Sequence, residues 1–246
     1  MSDIKRFNRL FRMVGEDGLK KLENARVALV GVGAVGSFAL EVLVRSGVEN
    51  ICLVDFDTVN LSNINRQLIA MDSSLGQKKI DVAAKRAVDI NPNCKIECLP
   101  IRVESTNVDR IFDYQPDIVL DAIDIVDGKF SLIRASVMKK MTLFSSMGAA
   151  RRKDPTKVCT GRFYEVTGCP LAKSLRKQFK EMGEADLPAN IGCVYSKEKT
   201  IATPFNTEQQ SFSSSTQKIP LPSVIAVTGV FGLCLGNLAL QKILES

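Results

Sequence analysis

Apolar residues fall along this chain in short blocks of two kinds. RVALVG (26–31) is a near-continuous apolar run ending in a glycine loop, the pattern of a strand buried on both faces. AVGSFALEVLVRSG, which follows, spaces its apolar residues at helical intervals and stops at Gly47. NICLVD (50–55) is a second apolar run, so this stretch predicts one βαβ unit. The alternation continues. GQKKIDVAAKRAVDINP predicts an amphipathic helix halted at Asn91-Pro92, and KIECLPI a strand. STNVDRIF predicts a helix start capped by Ser105 or Thr106, and DIVLDAID an apolar strand with acids at its end. Residues 128–140 predict a helix, TLFSSMG another strand, and residues 6–24 a charged lead-in helix.

Strands alternating with helices predict an α/β fold with a doubly wound, Rossmann-like, mostly parallel sheet. Beyond residue 150 the pattern changes. RRKDPTKVCTGRFYEV predicts a β-hairpin, hence an antiparallel extension, and PLAKSLRKQFK a basic helix. Residues 183–220, with the low-complexity patch SFSSSTQK, predict a mobile crossover segment. VIAVTGVFGLCLGNLAL (224–240) predicts a long closing helix. It is uncharged, with Gly232 and Gly236 in G-x-x-x-G spacing, but is shorter than the ~20 residues of a membrane span. A buried core helix is therefore expected, and no membrane. Without repeats or an obvious linker, residues 1–246 read as a single unit. Its expected parts are a nucleotide-binding core (1–150), a substrate or crossover region (151–222) and the closing helix (223–246).

Composition removes several chemistries. The chain has 246 residues and no histidine, which excludes a His triad, a His general base and a His metal ligand. It has seven cysteines, an odd number, and a disulfide framework is not expected in a chain this long and core-rich; none form a C-x-x-C pair, which argues against a structural zinc site, so no zinc is expected. Cys52 and Cys234 sit in apolar runs and read as core residues. The first residues, MSDIKRFNRLFRM, contain no apolar signal core, so a cytoplasmic protein is expected. A net charge of +6 permits a polyanionic partner.

The chemistry lies where the strands end. In GVGAVG, Gly31, Gly33 and Gly36 follow a strand and open a helix, which lets backbone approach a phosphate. Asp55 follows about 20 residues on, at the tip of the next strand, where an acid binds ribose hydroxyls. The continuation DFDTVNLSNINRQ then brings Arg66, and GQKK brings Lys79. Two cations at the strand ends suit a triphosphate better than a nicotinamide ring. Asp121 and Asp124 end another strand at the same edge, and a carboxylate there suits Mg²⁺ beside phosphates, with Asp124 preferred.

Taken together, RFNR (6–9), GVGAVGS, DFDTVNLSNINRQ, GQKK, INP and DAID resemble the ubiquitin-activating-enzyme-like adenylating family of the bacterial ThiF, MoeB and HesA proteins. The likeness runs from about residue 6 to 150 and resumes in the last helix. It implies binding of ATP and adenylation of a carboxylate. By that resemblance Gly31, Gly33, Gly36, Asp55 and Asp57 would hold the nucleotide. Arg66 and Lys79 would hold the phosphates while Asn63 and Asn65 shape the turn and offer amides, and Asp124 would hold Mg²⁺. Arg9 would reach the ATP of the other subunit of a homodimer. Gln67 is assigned no catalytic part.

DPTKV (154–158), PLAKSLRKQF (170–179) and GCVYSKE (192–198) resemble the branch of this family that dehydrates threonylcarbamoyladenosine in tRNA. There the substrate's own carbamoyl group closes a ring on its adenylated carboxylate. Two basic clusters then become candidate tRNA contacts: Arg151, Arg152 and Lys153, and Lys173, Arg176, Lys177 and Lys180. Phe163 and Tyr164 are candidate stacking platforms, and the 183–220 segment a candidate grip on the anticodon loop. Two other readings stay open. One is adenylation of a ubiquitin-like or sulfur-carrier protein, with Cys169 or Cys193 as a thioester or sulfur site and cysteine-desulfurase or sulfur-acceptor partners. The other is a nucleotide-binding scaffold without turnover.

Overall fold

The computed structural model describes residues 5–201 and 221–246. Seven strands form one sheet: β1 (Arg26–Val30), β2 (Asn50–Val54), β3 (Lys95–Leu99), β4 (Ile118–Asp121), β5 (Thr142–Ser146), β6 (Val158–Arg162) and β7 (Gly192–Ser196). Their order is β3-β2-β1-β4-β5-β7-β6. All neighbours are parallel except β6 and β7, which are antiparallel. The sheet is thus Rossmann-like and mostly parallel, with an antiparallel end. The strand order reverses between β1 and β4, which opens a crevice at their carboxyl ends.

Alternation along each strand sorts side chains to two cores. Val27, Leu29, Ile51, Leu53 and Leu120 face α1 (Asn8–Asn24), α2 (Gly36–Arg45), α3 (Lys79–Ile90) and α7 (Ile225–Glu245). Ala28, Val30, Cys52, Val54 and Val119 face α4 (Asp109–Asp113), α5 (Val126–Met138) and α6 (Pro170–Glu181). Cover on both faces explains why these strands read as unbroken apolar runs.

α7 is the closing helix expected from the sequence. It is long and apolar enough to cross a membrane, yet Val227, Phe231, Leu235 and Ala239 are buried in the first core. Its G-x-x-x-G face meets α2 at close range: a Cβ on Gly232 would lie 2.3 Å from the Val35 carbonyl oxygen, and one on Gly236 2.6 Å from Val42 Cβ.

Several local expectations need correction. No hairpin forms over 151–166; β6 alone is a strand there, and it pairs with β7 some thirty residues on. β7 lies inside the segment expected to be irregular, while 202–220 fall outside the described residues. Neither Ser105 nor Thr106 caps α4; Asn107 instead accepts from the Glu104 N–H through its Oδ1 (2.9 Å).

Candidate active site

The crevice at the β1/β4 reversal has a volume of about 420 Å³, within the range of small-ligand sites. Its floor is the glycine loop. Gly31 has φ +90°, and a Cβ there would also lie 2.8 Å from the Ala122 carbonyl oxygen, so this position demands glycine twice over. Gly33 lines the crevice, where a Cβ would make ordinary contact with Gln67 Nε2 at 3.7 Å, whereas Gly36 sits beneath, packed against the Gly31 carbonyl. α2 starts at Gly36 with no side-chain cap, and the Ser37, Phe38 and Ala39 N–H groups donate to the Gly33 and Val35 carbonyls.

Asp55, at the tip of β2, holds this loop. Its Oδ2 accepts from Val32 N (2.7 Å) and its Oδ1 from Asp57 N (2.9 Å). The chain then makes a tight 3-10 turn, Leu61–Asn63. Asn63 is buried and accepts from Asn60 N at 3.0 Å, so it shapes the turn and does not line the crevice. Arg66 does line it. Its Nη1 donates to the Ser62 carbonyl (2.7 Å) and to Asn65 Oδ1 (3.0 Å), which aims the guanidinium. Asn65 therefore serves Arg66 rather than lining the crevice itself.

Residues 58–59 pair with 76–78, and this returns the chain so that α3 starts beside the strand tip. Lys79 N–H donates to the Asp57 carbonyl (3.0 Å), and its buried Nζ to Asp57 Oδ2 (2.8 Å). Asp57 is half-exposed, so this ammonium has a counter-ion that yields readily to a ligand phosphate. Opposite, the β4–α5 turn presents Asp124 at the crevice wall, and Ser146, Met147 and Gly148 close the far side after β5. The structure thus brings together Gly31, Gly33, Asp55, Asp57, Arg66, Lys79 and Asp124. Arg9 is exposed on the first turn of α1 and does not line the crevice of its own chain. Among the described residues, no group of three or more Cys, Asp or Glu is placed to hold a metal ion.

Sequence reasoning gave Gln67 too small a part, offered Asp121 as a metal candidate, and passed over Lys129. Gln67 is buried in the crevice beside Gly33, with its Oε1 lacking a hydrogen-bond partner. Asp121 is not an open metal ligand; it is fully buried and ion-paired to Lys129. No spacing marks Gln67. A lysine eight residues after a strand-end acid is a weak signal for the pair.

The basic clusters divide. Arg152 is buried, with Nη1 on the Gly148 and Ala150 carbonyls and Nη2 on the Gly168 carbonyl, so it is no surface contact. Arg176 donates to the Phe163 and Val166 carbonyls (2.8 and 2.6 Å) and lies over the Phe163 ring, so it too is structural. Phe163 is buried and cannot stack a base; Tyr164 is exposed. Arg151, Lys153, Lys173, Lys177 and Lys180 remain at the surface. Lys173, Lys177 and Lys180 follow one exposed face of α6, turned away from the face on which Leu171 lines the crevice.

Cys169 and Cys193 do not sit in loose surroundings. Both are buried, and Cys169 Sγ accepts from Gly148 N (3.4 Å) at the start of α6. Burial pushes the Cys193 thiol up to about 12, which leaves it protonated and poorly nucleophilic near neutral pH.

The three motifs of residues 154–198 fold side by side: the Asp154-capped turn leads into β6, β6 pairs with β7, and α6 covers them.

The model of the ThiF family matches residues 6–246. A tRNA threonylcarbamoyladenosine dehydratase of Bacillus subtilis is 34% identical over 246 residues, covering 98% of this chain and 96% of that protein. The crystal structure of Escherichia coli tRNA N6-threonylcarbamoyladenosine dehydratase in complex with AMP superposes with a TM-score of 0.89 at 30% identity, covering 99% of this chain and 96% of that one. The same enzyme in complex with ATP gives 0.88 at 30% identity and the same coverage.

Proposed function

This chain belongs to the ThiF family, and on that premise we propose that it uses ATP to dehydrate the threonylcarbamoyladenosine of tRNA. The observation that carries the reading is a likeness to such dehydratases over nearly the whole of both chains, including the region after residue 150. In that reading the chain acts as one unit, with the glycine loop and Asp55 on the nucleotide and the residues after β5 on the substrate side.

Arg66 and Lys79 neutralise the phosphates while the threonyl carboxylate attacks the α-phosphorus, and pyrophosphate leaves. The carbamoyl group of the same nucleoside then attacks the activated carbonyl carbon and loses a proton. AMP leaves with one former carboxylate oxygen, so the nucleoside is lighter by one water. The protein supplies positioning and charge, which a chain without histidine can do. Asp124, a crevice carboxylate, would hold Mg²⁺, and the ion would add charge neutralisation there. The resemblance at RFNR assigns Arg9 to the nucleotide of a homodimer partner, and its exposure is compatible with that part. A tRNA substrate agrees with a cytoplasmic location. Buried Cys169 and Cys193 do not favour the carrier-protein reading or its sulfur partners.

The test is nucleoside mass spectrometry after incubation with ATP, Mg²⁺ and tRNA bearing threonylcarbamoyladenosine, with gentle digestion. Loss of one water only when ATP is present is the expected result. An unchanged nucleoside with ATP–pyrophosphate exchange intact would move the substrate to a carrier protein.

The row on α6 gives a second expectation. Neutralising Lys173, Lys177 and Lys180 to Gln should weaken tRNA binding and flatten its log–log salt dependence by about 2–3, since each phosphate contact contributes ~0.7–0.9. The Lys177–Glu181 pair is exposed and supports little stability, so folding should hold. Equal tRNA affinity in both proteins would remove α6 from the interface.

A further inference from the structure

Beneath the crevice lies a charged group that the chemistry above does not use. Lys129, in the first turns of α5, has no solvent exposure, and neither has its partner Asp121 at the end of β4 (Nζ to Oδ2, 2.7 Å). Lys129 Nζ also donates to Ser145 Oγ (3.2 Å) and to the Ser146 carbonyl (2.9 Å). All three ammonium protons thus have acceptors. Ser145 Oγ donates in turn to Asp121 Oδ2 (2.6 Å), and Asp121 Oδ1 accepts from Ile123 N (3.0 Å).

A buried ion pair is weak support for stability, because well-packed apolar residues often serve as well or better. Its geometry is more telling. Through Ile123 it holds the turn that carries Asp124, and through Ser145 and Ser146 it holds the start of the neighbouring segment, which also lines the crevice. One lysine therefore joins the turn that carries Asp124 to the segment after β5, the part of the crevice left for the acyl substrate.

We propose that Lys129 is a positioning residue that clasps the Asp124 turn to the segment after β5 and so sets the spacing between nucleotide and acyl substrate. This rests on the function proposed above. Arg66, Lys79 and the glycine loop hold the nucleotide from the other wall, so a loosened clasp leaves ATP bound. It misaligns the carboxylate and the α-phosphorus, and rate is acutely sensitive to such displacement.

The experiment compares the wild type with Lys129→Met/Asp121→Asn, which removes both charges and keeps an acceptor for Ile123 N, and with Ser145→Ala, which keeps the ion pair. Melting temperature, its rise with ATP, and the single-turnover rate of water loss at saturating ATP are measured. The expected result for the double variant is a wild-type rise with ATP and a rate at least tenfold lower; Ser145→Ala shows a smaller loss of the same kind. A folded double variant with the wild-type rate overturns the proposal, as does a parallel fall in ATP response and rate. If the double variant does not fold, Ser145→Ala decides on the same readings. Should the wild type exchange pyrophosphate without dehydrating tRNA, the substrate assignment fails instead. The clasp is then judged by kcat against KM for ATP in exchange.

Discussion

Lys79→Met slows adenylation by about 10²–10³-fold, the effect of removing one preorganised charge-stabilising donor, while the fold stays intact. The two halves of this expectation have separate causes. Nζ is buried in the crevice and, among the described residues, its side-chain partner is the half-exposed Asp57, so it is poised to meet phosphate charge as pyrophosphate departs. The substitution leaves no carboxylate stranded in the interior, because Asp57 already reaches water. Methionine also matches the buried stem of the lysine it replaces. ATP–pyrophosphate exchange and thermal melting measured on one preparation check both halves. Unchanged exchange would take Lys79 off the phosphates, and a collapsed melting temperature would make its role structural.

Gly36→Ala, by contrast, destroys the fold. A Cβ there would lie 1.8 Å from the Gly31 carbonyl oxygen and 2.8 Å from its carbon. Both are backbone atoms, so no rotamer relieves the clash; α2 must move off β1. The cost is expected in the exceptional class of ~4–5 kcal/mol or more. Gly33→Ala is the informative partner, since its added Cβ meets nothing nearer than Gln67 Nε2 at 3.7 Å. That variant keeps its melting temperature but loses most of the stabilisation by ATP, because the methyl group fills space that lets backbone approach a phosphate. Melting curves with and without ATP separate the two glycines. Equal stability in both variants would contradict the packing described for the loop.

Much of the architecture could be read in advance because both faces of the sheet are covered. That burial writes β1, β2 and β4 as apolar runs, and the glycine loop and Asp55 then fall at strand ends by register alone. Side-chain direction was harder to read. Arg152 and Arg176 look like surface charge in a basic segment, yet each turns inward to carbonyls that only the folded chain assembles. Lys129 is similar, since its acceptors come from β4 and β5. β7 was hidden because five residues of short apolar pattern, GCVYS, lie in polar surroundings. The acids and cations of the crevice were recognisable as a set, but the pairing of Lys79 with Asp57 depends on the return of residues 76–78 to 58–59.

The seam between α2 and α7 bears on how the polypeptide reaches its native state. Val35, Phe38, Ala39 and Val42 are complete only when Gly229, Gly232 and Gly236 dock on them, roughly 200 residues later in the chain. Pairings of such long sequence separation carry a large loop-closure cost and slow folding. On a ribosome, the strands of the nucleotide core emerge well before the helix that covers one of their faces. A nascent chain stalled before residue 225 would therefore display bare apolar side chains of α2 and β1, the kind of surface that chaperones hold and that aggregates capture.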